Sequence, residues 1–161
     1  MSVTVDANVL VYASNEAEPV HRVARDLVSR LAAGPDLVYL FWPVLLGYLR
    51  IVTHPVILPR PLNPREATAN VESLLDRPHV RTAGEADGFW KLFRATGLDR
   101  VRGNEVPDTH LATLMRQHGV RVIYTGDRGF RRFPDIDAVD PFESGPGRPA
   151  RPRPPRTRSG G

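Results

Sequence analysis

VTVDANVLVYA (residues 3–13) and VRVIYTGD (residues 120–127) decide the fold. Val3-Thr4-Val5 is a short apolar, β-branched run that stops at Asp6. Val120 to Thr125 is a second such run, and it reaches Asp127 through Gly126. Apolar runs of this length without alternation predict strands buried on both faces, the habit of parallel sheets covered by helices.

The chain between them alternates. Val20, Val23, Ala24, Leu27, Val28 and Leu31 recur at helical spacing and stop before Gly34-Pro35. Val38 to Phe41 predicts a second strand. Pro43 stands where a helix accepts its first residue, and that helix runs to Thr53 before His54-Pro55. Asn63-Pro64 predicts a capped helix with Ala67, Val71, Leu74 and Leu75 on its apolar stripe. His79 to Ala83 predicts a strand, Glu85 to Thr96 a helix ended by Gly97, and Pro107 to Gln117 another helix ended by Gly119. A last short strand is expected at Ala138-Val139. Strands separated by helices imply crossovers, hence a mostly parallel central sheet in a three-layer α/β/α sandwich. Tyr39-Leu40-Phe41-Trp42 reads as core rather than as a base-stacking platform.

In such sheets ligands bind beyond the carboxyl ends of the strands. Asp6 and Asp127 each follow a strand, and Asp108 opens the helix leading into the second of these strands. A lone Asp after a strand is ordinarily a helix N-cap. Three at one sheet edge are a different object, because clustered carboxylates repel and raise one another's pKa unless a cation lies between them. With no cysteine and no paired histidines, an oxygen donor set favours Mg²⁺ or Mn²⁺.

Other chemistries lack their residues. The five histidines (His21, His54, His79, His110, His118) form no His-Glu-x-x-His pair. His118 reads as a helix-end residue near the C-terminal dipole and His110 as a solvated one. No Gly-x-Ser-x-Gly elbow or phosphate-binding glycine loop is present. The absence of cysteine excludes a thiol nucleophile, a zinc ribbon and a disulfide scaffold, and it is compatible with a reducing cytoplasm.

The 161 residues suit one domain. Their net charge of +4 is unevenly placed. Residues 144–161 hold five arginines and no acid, while residues 1–143 hold 17 basic and 18 acidic residues. We therefore expect a folded domain over 1–143 and a disordered Arg/Pro/Gly-rich tail over 144–161. The most apolar run, Leu37 to Leu49, is shorter than the roughly 18 residues of a spanning helix and contains Pro43. The N-terminus has no basic region and carries Asp6 within its apolar stretch, so no signal peptide or membrane association is expected, and the cytoplasm is the expected location.

Four segments, in order, resemble a PIN domain, and their spacing is most similar to VapC-type toxins of bacterial toxin–antitoxin pairs. They are Val5-Asp6-Ala7-Asn8-Val9-Leu10, Leu49-Arg50-Ile51-Val52-Thr53-His54-Pro55, Val106-Pro107-Asp108-Thr109-His110-Leu111-Ala112, and Tyr124-Thr125-Gly126-Asp127-Arg128-Gly129-Phe130 with Phe133 following. The resemblance spans residues 2–142. It implies a metal-dependent endoribonuclease, the toxin of a type II pair, in which Asp6 and Asp108 are the main ligands of Mg²⁺ or Mn²⁺. It makes Asp127 a further catalytic acid, acting directly or through water. It implies that Asn8 orients the first carboxylate, that Thr125 holds water or ligand, and that Arg50 is a basic residue of the site or a salt-bridge partner of the acids. Its implied partners are RNA, a small antitoxin whose C-terminal segment lies over the acidic groove, and a second copy in a homodimer. Arg50, Arg128, Arg131 and Arg132 are candidates to hold the RNA backbone.

The chain departs from that pattern twice. Many members carry glutamate at the position of Gly47 and an acid at that of Gly129. Glu105, one helical turn before Asp108, is a candidate substitute. The alternative reading is a catalytically weak PIN-fold module that binds RNA or an antitoxin. A haloacid-dehalogenase phosphatase would need a second Asp two residues after the first, where this chain has Asn8, and a lysine placed better than Lys91.

Overall fold

The computed structural model describes residues 1–97 and 101–143. The expected tail over 144–161 lies outside the described residues. The elements are β1 (Ser2–Val5), α1 (Ala7–Ser14), α2 (His21–Ala33), β2 (Leu37–Phe41), α3 (Trp42–Val52), α4 (Pro64–Leu75), β3 (Val80–Ala83), α5 (Phe89–Ala95), α6 (Glu105–Gln117), β4 (Val122–Tyr124) and β5 (Asp137–Val139), with a 3₁₀ turn at Arg128–Arg132 before β5.

All five strands are parallel, in the order β3-β2-β1-β4-β5. The chain builds outward from β1 to β3, then returns to β4 on the other side of β1. Right-handed crossovers in opposite directions put α1 to α4 on one face and α5 with α6 on the other. The mostly parallel three-layer arrangement expected from the strand and helix pattern is thus observed. The return leaves a topological switch between β1 and β4, where parallel sheets open a crevice at their carboxyl edge. In register, Val5 lies opposite Tyr124, so the next residues, Asp6 and Thr125, sit together at that edge.

Both faces of the sheet are packed. Val3, Val5, Leu40, Phe41 and Ile123 are buried from the strands, Leu27, Leu45, Val52 and Leu114 from the helices, and Phe130 from the 3₁₀ turn. Thr4 is also fully buried and its hydroxyl donates to the Tyr39 carbonyl at 2.7 Å, which satisfies its polar atom inside the sheet.

Several local expectations change in the tertiary context. α1 was not expected, because only eight residues separate Asp6 from the polar stretch beginning at Asn15. The fifth helix starts at Phe89 and not at Glu85. Residues 84–88 form a loop fastened to α6: the Gln117 side chain accepts from Ala86 N and donates to the Ala86 and Asp87 carbonyls, and His118 Nε2 lies 2.8 Å from the Gly84 carbonyl. His110 belongs to the same fastening, paired with Glu85 at 2.5 Å and packed edge-on against Phe89, so it is not simply solvated. His118 does end α6, but its ring is held between Gly84 and the Tyr39 and Phe41 rings. α6 itself begins at Glu105, two residues before Pro107; proline is tolerated there because first-turn N–H groups have no intrahelical acceptor. Trp42 is 45% exposed at the head of α3, so only part of the aromatic run is core.

The Asn63 cap is realised in full. Asn63 Oδ1 accepts from Glu66 N at 2.9 Å, and Glu66 Oε2 accepts from Asn63 N at 3.0 Å, a reciprocal capping box ahead of Pro64. Asn63→Ala should lower stability by about 1 kcal/mol, read as a shift of the urea midpoint with an unchanged slope.

Candidate active site

Asp6 and Asp127 lie at the carboxyl edge of β1 and β4, and Asp108 comes close enough for the charges of both to act on it. The pairing of the two strands places Asp6 and Asp127. Asp6 N donates to the Tyr124 carbonyl at 3.1 Å, extending the ladder one residue past β1 onto the last residue of β4. The Thr125 hydroxyl, buried in this gap, donates to Asp6 Oδ2 at 3.0 Å and accepts from Asp127 N at 2.9 Å. One hydroxyl therefore aims one carboxylate and positions the backbone of the other. Asp108 arrives from the opposite face, in the first turn of α6.

The N-cap role is distributed in an instructive way. Asp6 has the backbone position of a cap for α1 but its side chain makes no cap bond. Asp108 lies inside its helix rather than opening it, because α6 starts at Glu105. Asp127 is the acid that caps: its Oδ1 accepts from Gly129 N at 2.7 Å at the head of the 3₁₀ turn. The two acids expected as the main ligands are thus the two whose side chains are free of capping.

Their electrostatics fit a site built for a cation. Burial raises the pKa of Asp6, and the Asp127 charge adds to it; the Thr125 hydroxyl and the N–H groups of Asn8 and Ala7 oppose the shift. Asp108 is pushed up to about 6 by burial first, then by Asp127, with smaller contributions from Asp6 and Glu105; Arg132 opposes. Among the described residues no three His, Cys, Asp or Glu side chains converge as a ready-made metal cage. Two carboxylates with the rest of the shell left to water is the mode Mg²⁺ accepts, and the all-oxygen donor set of Asp6 and Asp108 fits it.

The remaining expected residues divide. Thr125 is at the centre. Asn8 is exposed on α1, and its contribution to Asp6 comes from the backbone N–H. Glu105 lies beside the site: its Oε2 accepts from Arg102 N at 3.2 Å, and its Oε1 is 3.5 Å from Arg132 Nη1. Arg50 is exposed on the last turn of α3 and makes no ion pair among the described residues. Arg128 and Arg131 turn toward Glu143, at 3.7 and 2.9 Å. Only Arg132, of the four arginines, is brought to the acids, at 3.8 Å from Asp108 Oδ2.

Two glycines shape the space. A Cβ on Gly47 would meet nothing closer than Ala7 Cβ at 3.7 Å, so a side chain there has room beside the start of α1. A Cβ on Gly129 would stand 2.7 Å from Asp108 Oδ2, 3.0 Å from Asp127 Oδ1 and 3.5 Å from Arg132 Nη1. Gly129 is therefore a central position that sequence reading registered only as a missing acid. The signal for its role lies in long-range contacts, not in the flanking residues.

The PIN domain family profile matches residues 3–136. The chain is 54% identical over 143 residues to Ribonuclease VapC48 of Mycobacterium tuberculosis, covering 88% of this chain and 99% of the relative. It is 34% identical over 130 residues to the VapC ribonuclease Mb2897 of Mycobacterium bovis, covering 80% and 88%. The fold is similar to that of M. tuberculosis VapC20, described as a sarcin-ricin loop cleaving toxin, with TM-score 0.60 and 21% identity over 81% of this chain and 93% of that one. It is also similar to VapBC2 from Rickettsia felis bound to a promoter DNA fragment, with TM-score 0.60 and 14% identity over 86% and 98%.

Two outcomes follow from this geometry. A carboxyl whose folded pKa lies above its unfolded value costs stability once it ionises. The cost is absent below the unfolded value near 3.8, grows as pH rises through about 6, and is complete above it. In EDTA, Asp108→Asn should therefore melt higher than wild type at pH 7.5 and match it at pH 4. Gly47→Glu has room, sits where glycine costs a helix roughly 1 kcal/mol relative to alanine, and adds a carboxylate near Asp6. Its melting temperature should gain more from excess Mn²⁺ than wild type's does; an equal gain means that Gly47 is not a lost ligand position.

Proposed function

The chain belongs to the PIN-domain family, in its VapC-type branch, and we propose that it is the toxin of a type II toxin–antitoxin pair, a metal-dependent endoribonuclease. The observation that carries this reading is the closeness of Asp108 to Asp6 and Asp127 at the β1/β4 switch point, with two of the three carboxyls raised in pKa by burial and like charge. Such a cluster is unfavourable until a cation joins it, and perturbed acids in a crevice mark functional sites. The names of the relatives support the nuclease assignment, and the fold shared with VapBC2 supports a partner chain.

Asp6 and Asp108 would hold Mg²⁺ or Mn²⁺, which when bound lowers the pKa of a coordinated water and offsets charge on the scissile phosphate. The chain's own residues do the positioning. Thr125 fixes the direction of the Asp6 carboxylate through its 3.0 Å hydrogen bond. Asp127, exposed and held by its own turn, has its Oδ2 left to accept a proton or orient a water. The β1/β4 edge keeps Asp6 and the Asp127 backbone in place through Thr125. RNA is the substrate, a small antitoxin the regulatory partner and a homodimer the free form in this reading. The catalytic unit is residues 1–143, and the cytoplasm is the site of action. Among the described residues no helix is long and apolar enough to cross a membrane.

The weaker-enzyme reading keeps one observation in its favour: Gly47 supplies no carboxylate at the Asp6 side of the site. Cleavage separates the two. With Mg²⁺ or Mn²⁺, the wild-type protein should cut single-stranded RNA and stop in EDTA. Asp6→Asn should lose activity by more than about 100-fold and keep a cooperative melt, since it changes charge and not volume. A wild type that binds RNA or antitoxin but cuts nothing with either metal is the binding module instead.

A further inference from the structure

Of the four arginines that are candidates to hold an RNA backbone, Arg50, Arg128, Arg131 and Arg132, the fold brings one to the acids. Arg132 reaches the site from the 3₁₀ turn, and its guanidinium is held on three sides. Its Nη2 donates to the Glu105 carbonyl at 3.1 Å and lies 3.5 Å from Thr109 Oγ1. Its Nη1 is 3.5 Å from Glu105 Oε1. Its Cζ stacks over the Phe133 ring, 4.8 Å from the centroid. The guanidinium faces two carboxylates at the long end of ion-pair distance, Glu105 Oε1 at 3.5 Å and Asp108 Oδ2 at 3.8 Å, so its charge is shared between them rather than locked in one close bidentate pair. Gly129 leaves open the point around which Asp108 Oδ2, Asp127 Oδ1 and Arg132 Nη1 gather.

We infer that Arg132 is a catalytic residue that contacts the non-bridging oxygens of the scissile phosphate. The inference rests on the ribonuclease reading above and deepens it. In hydrolysis the oxygen of water bonds to phosphorus, the bond to the leaving ribose oxygen breaks, and a proton from the water reaches that oxygen through solvent. Negative charge on the non-bridging oxygens peaks between these events. A planar guanidinium fixed beside the carboxylates that position the reaction meets that charge with paired N–H donors, and it stays protonated throughout. Such a group acts on the transition state more than on binding, provided that it is held in place beforehand. Phe133 and the first turn of α6 provide that hold. Neither Arg128 nor Arg131 is held this way; both face Glu143.

The rival role is a brace that ties the 3₁₀ turn to α6 through the same Glu105 and Thr109 contacts. Wild type, Arg132→Ala and Arg132→Lys, assayed on single-stranded RNA at saturating Mn²⁺ and melted in parallel, separate the two. The catalytic role gives a loss of about 100-fold in kcat for Arg132→Ala. It leaves KM and Tm near wild type, gives little recovery with lysine, and allows partial rescue of Arg132→Ala by millimolar guanidinium ion. If Arg132→Ala does not fold, the kcat of Arg132→Lys decides, since lysine keeps the stem and charge but not the fork. Wild-type kcat in either folded variant overturns the inference, and so does a drop in Tm and kcat that lysine restores together. A wild type without cleavage overturns the ribonuclease reading and this role with it; activity in wild type with none lost in Arg132→Ala overturns this role alone.

Discussion

The parallel pairing of β1 with β4 is the constraint from which the site follows. These strands are adjacent in the sheet, yet more than a hundred residues apart in the chain. Their register sets Val5 against Tyr124, so that the first residue beyond one strand and the first beyond the other are neighbours. Asp6 continues the ladder with a bond to Tyr124, and Thr125 closes the gap with its hydroxyl on the Asp6 carboxylate. A slip of one residue would turn Asp6 toward the opposite face and bury Thr125 without an acceptor. The buried valines of β1 and Ile123 of β4 hold the register through their packing on both faces, so the aim of the Asp6 carboxylate depends on the apolar core.

The same edge concentrates unfavourable charge. Asp108 is brought in by α6, from the layer opposite α1; the Asp127 and Asp6 charges make it harder to ionise, and the Asp127 charge does the same to Asp6. Arg132 relieves part of that repulsion through ion pairs of 3.5 Å to Glu105 and 3.8 Å to Asp108. Much of the scaffold around the acids compensates: the bidentate Arg116–Asp135 pair, at 2.7 and 2.6 Å, fastens α6 to the segment leading into β5, and the Thr96 hydroxyl takes a third bond from Arg116.

Gly47 and Gly129 show that a glycine can mean opposite things at two positions of one fold. At Gly47 the surroundings leave space that a longer side chain would fill, so its smallness reflects no packing demand. At Gly129 a Cβ would press on two carboxylates and approach a guanidinium, so its smallness is what lets those groups gather. Neither glycine has a left-handed backbone, and the difference between them lies entirely in what the rest of the fold places nearby.

Local pattern was enough for the class of the fold. The β-branched runs at residues 3–5, 38–41 and 120–125 and the helical stripes between them depend on side-chain periodicity, which acts over a few residues and is visible in a linear chain. The acids at positions 6, 108 and 127 were legible for the same reason, since each follows or precedes an element whose pattern is strong. What the tertiary structure alone decided is of another kind. Phe89 and not Glu85 begins α5, because Gln117, His118 and His110 hold the preceding loop from across the fold. Trp42 is exposed although its neighbours in the run are core. Asp127 caps its turn while Asp6 accepts from Thr125 instead, and Arg132 alone among the four candidate arginines reaches the acids. Each of these is set by hydrogen bonds, charges or contacts between residues far apart in the chain, whose energies have no counterpart in local spacing.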